Sequence, residues 1–271
     1  VNAAWMGAGS APARAADLLL FLDADTVLEP ECISAAVSLM QSRRLDLVSL
    51  LSTLSNRSWF ELLVQPAATM ELVRQYPIAR VNRAKRPRAF ANGQFMLFTR
   101  AAYDAIGGHR GVKDELLEDL ALARGIVQAD RRAGLFLADG LLSCSMYESY
   151  ADFRAGWKRI YTESTHRKVG RLWQAAAANA VMSSLLPVVA LVNLGFSAFL
   201  LARTGAPHTM GMIGLAISGS ALALWILVTG AAYRLGRVPL WGLPGFAIGS
   251  WLGGRILAEA ALGLRRGGGP T

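Results

Sequence analysis

The chain has 271 residues, of which 53% are hydrophobic and only 17% charged, and its mean hydropathy of +0.34 excludes an ordinary soluble domain. Residues 1–174 contain 22 Lys/Arg and 18 Asp/Glu, whereas residues 175–271 contain 6 and 1, which predicts a globular part followed by a membrane part. The net charge of +9 does not indicate nucleic-acid binding, because no basic stripe interleaved with aromatics is present and much of the excess lies beside apolar segments.

Residues 1–150 alternate strand-like and helix-like segments, which predicts a layered α/β domain. Short apolar runs predict strands at residues 17–22, 45–51, 95–98 and 135–138. Ala-rich or amphipathic segments predict helices at residues 2–14, 30–42, 59–75, 100–106 and 115–128. Residues 80–88 form a basic loop. Cys32 and Cys144 show no metal or disulfide spacing and are predicted to be small core residues of a cytosol-facing domain.

Asp23 and Asp25 follow the first predicted strand directly. In open α/β sheets, ligands bind at the carboxyl ends of the strands. Two hard oxygen ligands at that edge suit Mg²⁺ or Mn²⁺ carrying a substrate diphosphate. The alternative is a polar strand end, with Asp25 or Thr26 capping the helix that begins near Pro30.

Two further groups of residues are candidates for chemistry. Glu118 and Asp119 begin a predicted helix, where a carboxylate near a metal-bound diphosphate can act as general base on an acceptor hydroxyl. The alternative is a solvated acidic helix start stabilised by the dipole. Gly93 permits close backbone approach to a ligand, and Gln94 or His109 could contact the acceptor or a phosphate. For His109 alone, a helix cap or a core hydrogen bond is the competing interpretation.

Residues 151–174 form a predicted amphipathic region that carries aromatics and cations. This pattern suits a helix at the membrane interface, and the alternative is a surface helix packed on the domain. Lys158 and Arg159 could neutralise a leaving diphosphate, and Trp157 could stack on a ring or exclude water. Cations that extend to the bilayer surface explain the same residues equally well.

Residues 175–264 contain two to three predicted transmembrane helices. The uncharged segments are residues 175–202 and 210–232, and the weaker third, residues 240–264, contains Arg255 and Glu259. These two residues could pair on one helix face, or the segment could lie at the interface. The distribution of Arg and Lys predicts that the basic cluster at residues 159–171 and the loop at residues 234–237, and with them the catalytic domain, face the cytoplasm.

Taken in order, the segments FLDADT, ANGQFMLFTRAAYDAIGGH, LLEDLALA and YADFRAGWKR, followed by apolar spans, resemble one family. They are similar to membrane-bound inverting glycosyltransferases of family 2, which have a Rossmann-like GT-A fold. Within that family the similarity is to bacterial enzymes that glycosylate lipids such as carotenoid acids, hopanoids or ceramide-like acceptors. The resemblance covers residues 2–235, and its specificity lies in the order and spacing of the motifs.

By that resemblance, Asp23 and Asp25 match the motif that holds the metal and the nucleotide diphosphate. Asp119 matches the acidic base, with Glu118 beside it. Gly93 and Gln94 match the element that lines the acceptor side of the site.

Trp157 and Lys158 take the place of the family's interfacial Q/R-x-x-R-W motif. The order in this chain, Arg154-x-x-Trp157-Lys158, departs from that motif. The departure puts the role of each cation in doubt and argues against a processive polysaccharide synthase.

Members of this family start with a β-α-β nucleotide-binding unit whose Asp contacts the base, and nothing before Ala16 supplies it. An N-terminal membrane anchor, common in relatives, is also absent. We therefore expect an N-terminally truncated fragment with an incomplete donor site. The hypothesis is that the 271-residue chain alone is inactive, and a normal rate of sugar transfer by that chain in detergent would contradict it.

These observations predict a multi-pass protein of the inner or plasma membrane with a cytoplasmic catalytic domain. Its predicted reaction moves a sugar, with inversion, from a nucleotide-sugar donor to a lipid acceptor. One alternative is a processive polysaccharide synthase, which predicts a complete Q-x-x-R-W motif and more spans. The other is a non-enzymatic membrane scaffold or transporter subunit, which predicts ionisable groups within the spans.

Overall fold

The computed structural model describes residues 2–204 and 209–266. The chain divides into two compact units, Val1–Ser55 with Val73–Glu148 and Asn56–Leu72 with Ser149–Thr271. Residues 56–72, which we predicted within the N-terminal domain, therefore belong to the same unit as the C-terminal part of the chain.

The first unit contains two sheets. The strands of the described residues are β1 (Leu18–Leu22), β2 (Thr26–Leu28), β3 (Leu47–Leu51), β4 (Thr53–Leu54), β5 (Phe95–Thr99), β6 (Ala133–Leu137) and β7 (Leu142–Cys144). The main sheet has the order β1-β5-β3-β6, in which β5 is antiparallel to β1 and β3, while β3 and β6 are parallel. The smaller sheet has the order β2-β7-β4. Because β1, β3 and β6 run in the same direction, their carboxyl ends lie at one edge of the main sheet.

The helices alternate with these strands and continue into the second unit. Those of the described residues are α1 (Asn2–Ala8), α2 (Ala11–Arg14), α3 (Cys32–Arg43), α4 (Trp59–Leu63), α5 (Gln65–Gln75), α6 (Ile78–Val81), α7 (Arg100–Ala105), α8 (Gly108–Gly111), α9 (Glu118–Gln128), α10 (Tyr150–Ser164), α11 (Val169–Ala178), α12 (Leu186–Thr204), α13 (Thr209–Leu235) and α14 (Phe246–Arg265). A π-helical segment, Asn179–Leu185, joins α11 to α12, and a 3₁₀ segment, Leu240–Gly245, precedes α14.

The main sheet is buried on both faces. Side chains alternate along a strand, so Met96 and Phe98 of β5 pack with α7 and α9, whereas Phe95 and Leu97 pack with α3. All four side chains are at most 3% exposed. This layered arrangement confirms the predicted α/β class. Most predicted strands and helices of this unit occur with shifts of up to three residues, as at α9, which begins at Glu118 rather than at residue 115. The helix predicted at residues 2–14 is instead divided into α1 and α2.

In the second unit, an aromatic cluster joins α4 to α10. Phe60 lies 5.3 Å from Phe153 between ring centroids, and Phe153, Trp157 and Tyr161 follow one another at four-residue spacing on one face of α10. The Tyr161 hydroxyl donates to the backbone oxygen of Ala68 at 3.3 Å. The aromatic face of α10 therefore packs inside the protein. This agrees with the interpretation of α10 as a helix that packs on the rest of the protein.

The amphipathic region is not one continuous helix. Between α10 and α11, His166 and Arg167 have φ angles of 56° and 55°, in the left-handed region that a right-handed helix cannot continue through. The placement of residues 151–174 at a membrane interface stays a prediction.

In the part of the chain that the structure describes, two helices are long and apolar enough to cross a membrane, Val169–Arg203 and Thr209–Leu235. Only 17% and 11% of the most apolar stretch of each helix is buried within the protein, whereas the core helix of a soluble domain is mostly buried. Their apolar side chains are thus available to lipid.

The third predicted span has a different structure. It starts as the 3₁₀ segment and continues as α14, which packs against α10 and α11. A Cβ at Gly249 would lie 1.7 Å from the backbone oxygen of Leu63, so α14 approaches α4 at backbone contact. Glu259 pairs with Arg154 of α10 at 2.6 Å. The pairing of Glu259 with Arg255 that the sequence suggested is therefore not the one observed.

Candidate active site

Asp23 and Asp25 lie in a tight turn at the carboxyl end of β1. The amide and hydroxyl of Thr26 both donate to the backbone oxygen of Asp23, at 3.3 and 2.7 Å, before the chain enters β2. Neither Asp25 nor Thr26 caps α3, because α3 begins at Cys32 and is preceded by Glu31. The helix-capping interpretation of this pair is therefore wrong.

Asp119 lies in the first turn of α9, beside the loop before β5. Its Oδ2 accepts a hydrogen bond from the amide of Gly93 at 3.0 Å, and its Oδ1 accepts one from the amide of Leu120 at 2.6 Å. A Cβ on Gly93 would lie 3.5 Å from Asp119 Oδ2, so the two residues are in close contact. Asp119 is partly buried rather than fully solvated.

The acidic side chains from these two segments lie close enough to affect one another. Burial, followed by the charges of Asp25 and Glu118, raises the pKa of Asp23. Burial also raises the pKa of Asp119 to about 6, with smaller contributions from Glu118 and Asp23, although the amides of Leu120 and Gly93 oppose the rise. The structure thus brings four predicted acidic residues into one electrostatic cluster.

The residues of this cluster fit a divalent cation. The charges that act on Asp23 are both carboxylates, and a cation among them would relieve that repulsion. Carboxylate oxygens are the ligands that Mg²⁺ and Mn²⁺ prefer. Among the described residues, no group of three or more His, Cys, Asp or Glu side chains could by itself hold a metal ion. Asp23 and Asp25 would therefore hold a metal together with waters and, once the donor is bound, with its phosphates, which is usual for Mg²⁺.

Gln94 lies in the same loop as Gly93, but its side chain is 4% exposed. Its Oε1 accepts from Asn92 Nδ2 at 3.0 Å and from the Ser52 hydroxyl, and its Nε2 donates to the sulfur of Cys144 at 3.1 Å. These contacts occupy the amide group inside the protein, so Gln94 does not present it to an acceptor in this conformation.

His109 is buried beside the same sheet. Its Nδ1 lies 2.9 Å from the hydroxyl of Tyr103, and its ring centroid lies 4.5 Å from that of Phe21. Burial lowers its pKa, which favours the neutral ring. Of the two interpretations of His109, the structure therefore shows the core hydrogen bond and not the contact with a substrate.

Comparison with known families matches this unit. The sequence model described as "Glycosyltransferase like family 2" matches residues 3–147. The chain belongs to this glycosyltransferase family. The match covers the acidic cluster and both sheets of the first unit, and it ends one residue before the end of that unit at Glu148. No curated protein matches the chain.

The remaining predicted site residues of this glycosyltransferase lie on α10, in the second unit. Trp157 is 3% exposed, and its neighbours in the aromatic cluster leave no open ring face for a ligand. Arg159 is exposed and Lys158 is half-buried, so both cations remain accessible.

Sequence reasoning missed the polar role of Cys144, which it assigned to the core. The residue is 4% exposed, as predicted, yet it contacts both Gln94 and the carboxylate of Asp25. A lone cysteine fifty residues after Gln94 gives no sequence signal for a contact with Asp25, because the pairing of β7 with β2 creates that contact.

Proposed function

We propose that this family 2 glycosyltransferase moves a sugar from a nucleotide-sugar donor to a membrane lipid, with inversion and with Mg²⁺ or Mn²⁺. The observation that carries the proposal is the meeting of two acidic sites, the turn after β1 and the first turn of α9, at one sheet edge. One site suits a metal-bound diphosphate, and the other presents a carboxylate with a raised pKa.

In the proposed mechanism, Asp23 and Asp25 would hold the cation and, with it, the donor diphosphate. The cation, when bound, neutralises the diphosphate and its leaving oxygen. Asp119 accepts the proton of the acceptor hydroxyl or carboxyl group while that oxygen attacks the anomeric carbon. The bond from this carbon to the diphosphate oxygen breaks, and its electron pair leaves with the nucleoside diphosphate. Attack opposite the leaving group inverts the anomeric centre.

The raised pKa of Asp119 suits this role, since a general base works best when its pKa lies near the operating pH. Gly93 holds the carboxylate in place through its amide. Glu118 strengthens the basicity of Asp119 by like-charge repulsion. Lys158 and Arg159 are proposed to stabilise the departing diphosphate.

The membrane part supports a lipid acceptor. The two apolar helices would hold the protein in the bilayer, where such an acceptor is already concentrated. We propose a multi-pass protein of the cytoplasmic membrane, with the catalytic unit in the cytosol.

The test uses the full-length protein in native membranes and a panel of radiolabelled nucleotide-sugars. We expect Asp119→Asn and Asp23→Ala each to lower transfer into the organic phase at least about 100-fold. Asp114→Asn, at an exposed position outside the cluster, is the matched control and should retain activity.

Retained activity in both cluster variants would contradict the mechanism. Label that appears only in an aqueous polymer would instead support a polysaccharide synthase and would exclude the lipid acceptor.

A further inference from the structure

Cys144 lies next to the turn that carries Asp25. It is the last residue of β7 and pairs in register with Thr26 at the start of β2, immediately after Asp25. The amide of Ser145 also faces the backbone oxygen of Asp25 at 3.4 Å. The backbone of the smaller sheet therefore fixes Cys144 beside the turn that carries Asp25.

The Cys144 thiol has polar partners on two sides. Gln94 Nε2 donates to its sulfur at 3.1 Å, and the carboxylate of Asp25 is within hydrogen-bonding reach of the thiol. Because an ionised carboxylate only accepts hydrogen bonds, the S–H group is the donor in the second contact.

Gln94 is itself anchored to the main sheet. Asn92 donates to Gln94 Oε1 from its Nδ2, and the same Nδ2 group donates to the backbone oxygen of Leu50 in β3 at 2.9 Å. The amide of Asn92 donates to the hydroxyl of Ser49, also in β3, at 2.8 Å. The hydroxyl of Ser52 is a further partner of Gln94 Oε1. A chain of hydrogen bonds thus runs from the central strand through Gln94 to Cys144.

We propose that Gln94 and Cys144 are positioning residues that orient the Asp25 carboxylate for the metal-bound diphosphate. The inference rests on the proposed function and gives Gln94 a role different from acceptor binding. The amide of Gly93 holds Asp119 by a direct hydrogen bond. One loop, residues 92–94, therefore fixes both acidic sites and sets the geometry between donor and base.

The direct test measures Mn²⁺ binding to the full-length protein in detergent, by electron paramagnetic resonance of the free ion. Partners that orient metal ligands commonly change metal affinity 10- to 100-fold when removed. We expect Cys144→Ala to raise the Mn²⁺ dissociation constant about 10-fold. The Mn²⁺ concentration for half-maximal transfer should rise in parallel. Cys144→Ser, which keeps a donor and an acceptor, should restore most of the affinity.

Cys32 provides the matched control, because it is the other free, buried cysteine of the same unit and begins α3, where it lies among apolar side chains of α3 and β3. Cys32→Ala and Cys144→Ala should lower the unfolding temperature by similar amounts. Only Cys144→Ala should weaken Mn²⁺ binding. A role of Cys144 in packing alone predicts the same metal affinity for both variants.

Gln94→Met tests the relay from its other end, since it removes the donor to the sulfur and leaves Cys144 in place. It should weaken Mn²⁺ binding, and the double variant Gln94→Met with Cys144→Ala should bind no more weakly than Cys144→Ala alone. If Cys144→Ala does not fold, Gln94→Met alone decides the question.

Wild-type Mn²⁺ affinity in folded Cys144→Ala or Gln94→Met would overturn this inference. Failure of the proposed function has a different signature, which is unchanged Mn²⁺ binding and unchanged transfer in Asp25→Ala.

Discussion

Replacing Asp119 by Asn should stabilise the first unit at alkaline pH, because the folded protein holds an unfavourable charge at this position. Burial raises the pKa of Asp119 from 3.8 to about 6. Between these two values the folded state binds more protons than the unfolded state, so the free energy of unfolding falls as the pH rises. The penalty is absent below about pH 4 and complete above about pH 6.

The size of the effect follows from the shift. About two pKa units correspond to about 3 kcal/mol, and the partial exposure of Asp119 reduces this figure. Asn has one acceptor oxygen, whereas Asp119 accepts from two amides, so one hydrogen bond worth about 1 kcal/mol is lost. The net gain of Asp119→Asn is therefore about 1 kcal/mol above pH 7. It should disappear near pH 4, where the wild-type carboxyl is protonated.

The assay is thermal unfolding of the full-length protein in detergent, without divalent cations, between pH 4 and pH 8.5. A gain of about 1 kcal/mol corresponds to an increase of about 2–4 °C for a unit of this size. Asp114→Asn makes the same chemical change at an exposed site and should give no pH-dependent gain. A gain that is equal at pH 4 and pH 8, or a lower unfolding temperature at pH 8, would refute the electrostatic reasoning.

Two further predictions concern the second unit. Gly249→Ala should lower the unfolding temperature strongly, at a cost of about 3 kcal/mol or more, because the new Cβ would overlap a backbone oxygen. The control is Gly253→Ala on the same helix, where a Cβ meets open space, and this substitution should be neutral or slightly stabilising. Glu259→Gln should have the same effect on stability as Arg154→Gln and as the double variant, at most about 1 kcal/mol, because the pair is partly exposed; stronger coupling of Glu259 to Arg255 in a double-mutant cycle would contradict the observed pairing.

Much of the first unit was predictable because its elements have strong local patterns. The run Leu18–Leu22 is short, continuous and apolar, and it forms β1 with the two carboxylates at its carboxyl end. The interruption of the amphipathic region at His166 and Arg167 was not predictable. Both residues have left-handed backbone, but neither is glycine, the residue type that usually marks such a position in a sequence. The aromatic face of α10 was also ambiguous, since the same periodicity suits a lipid surface and a protein surface.

The family, the α/β class and the two long apolar helices could be predicted from the sequence, because motif order and hydropathy are properties of consecutive residues. The sequence also indicated which side chains carry acidic chemistry. How those side chains are held depends on the fold. Gln94, Cys144 and Asp25 are far apart along the chain. The pairing of β7 with β2 places Cys144 next to Asp25, and the loop before β5 brings Gln94 to the sulfur of Cys144. The raised pKa of Asp119 has the same origin, since burial and neighbouring carboxylates exist only after folding.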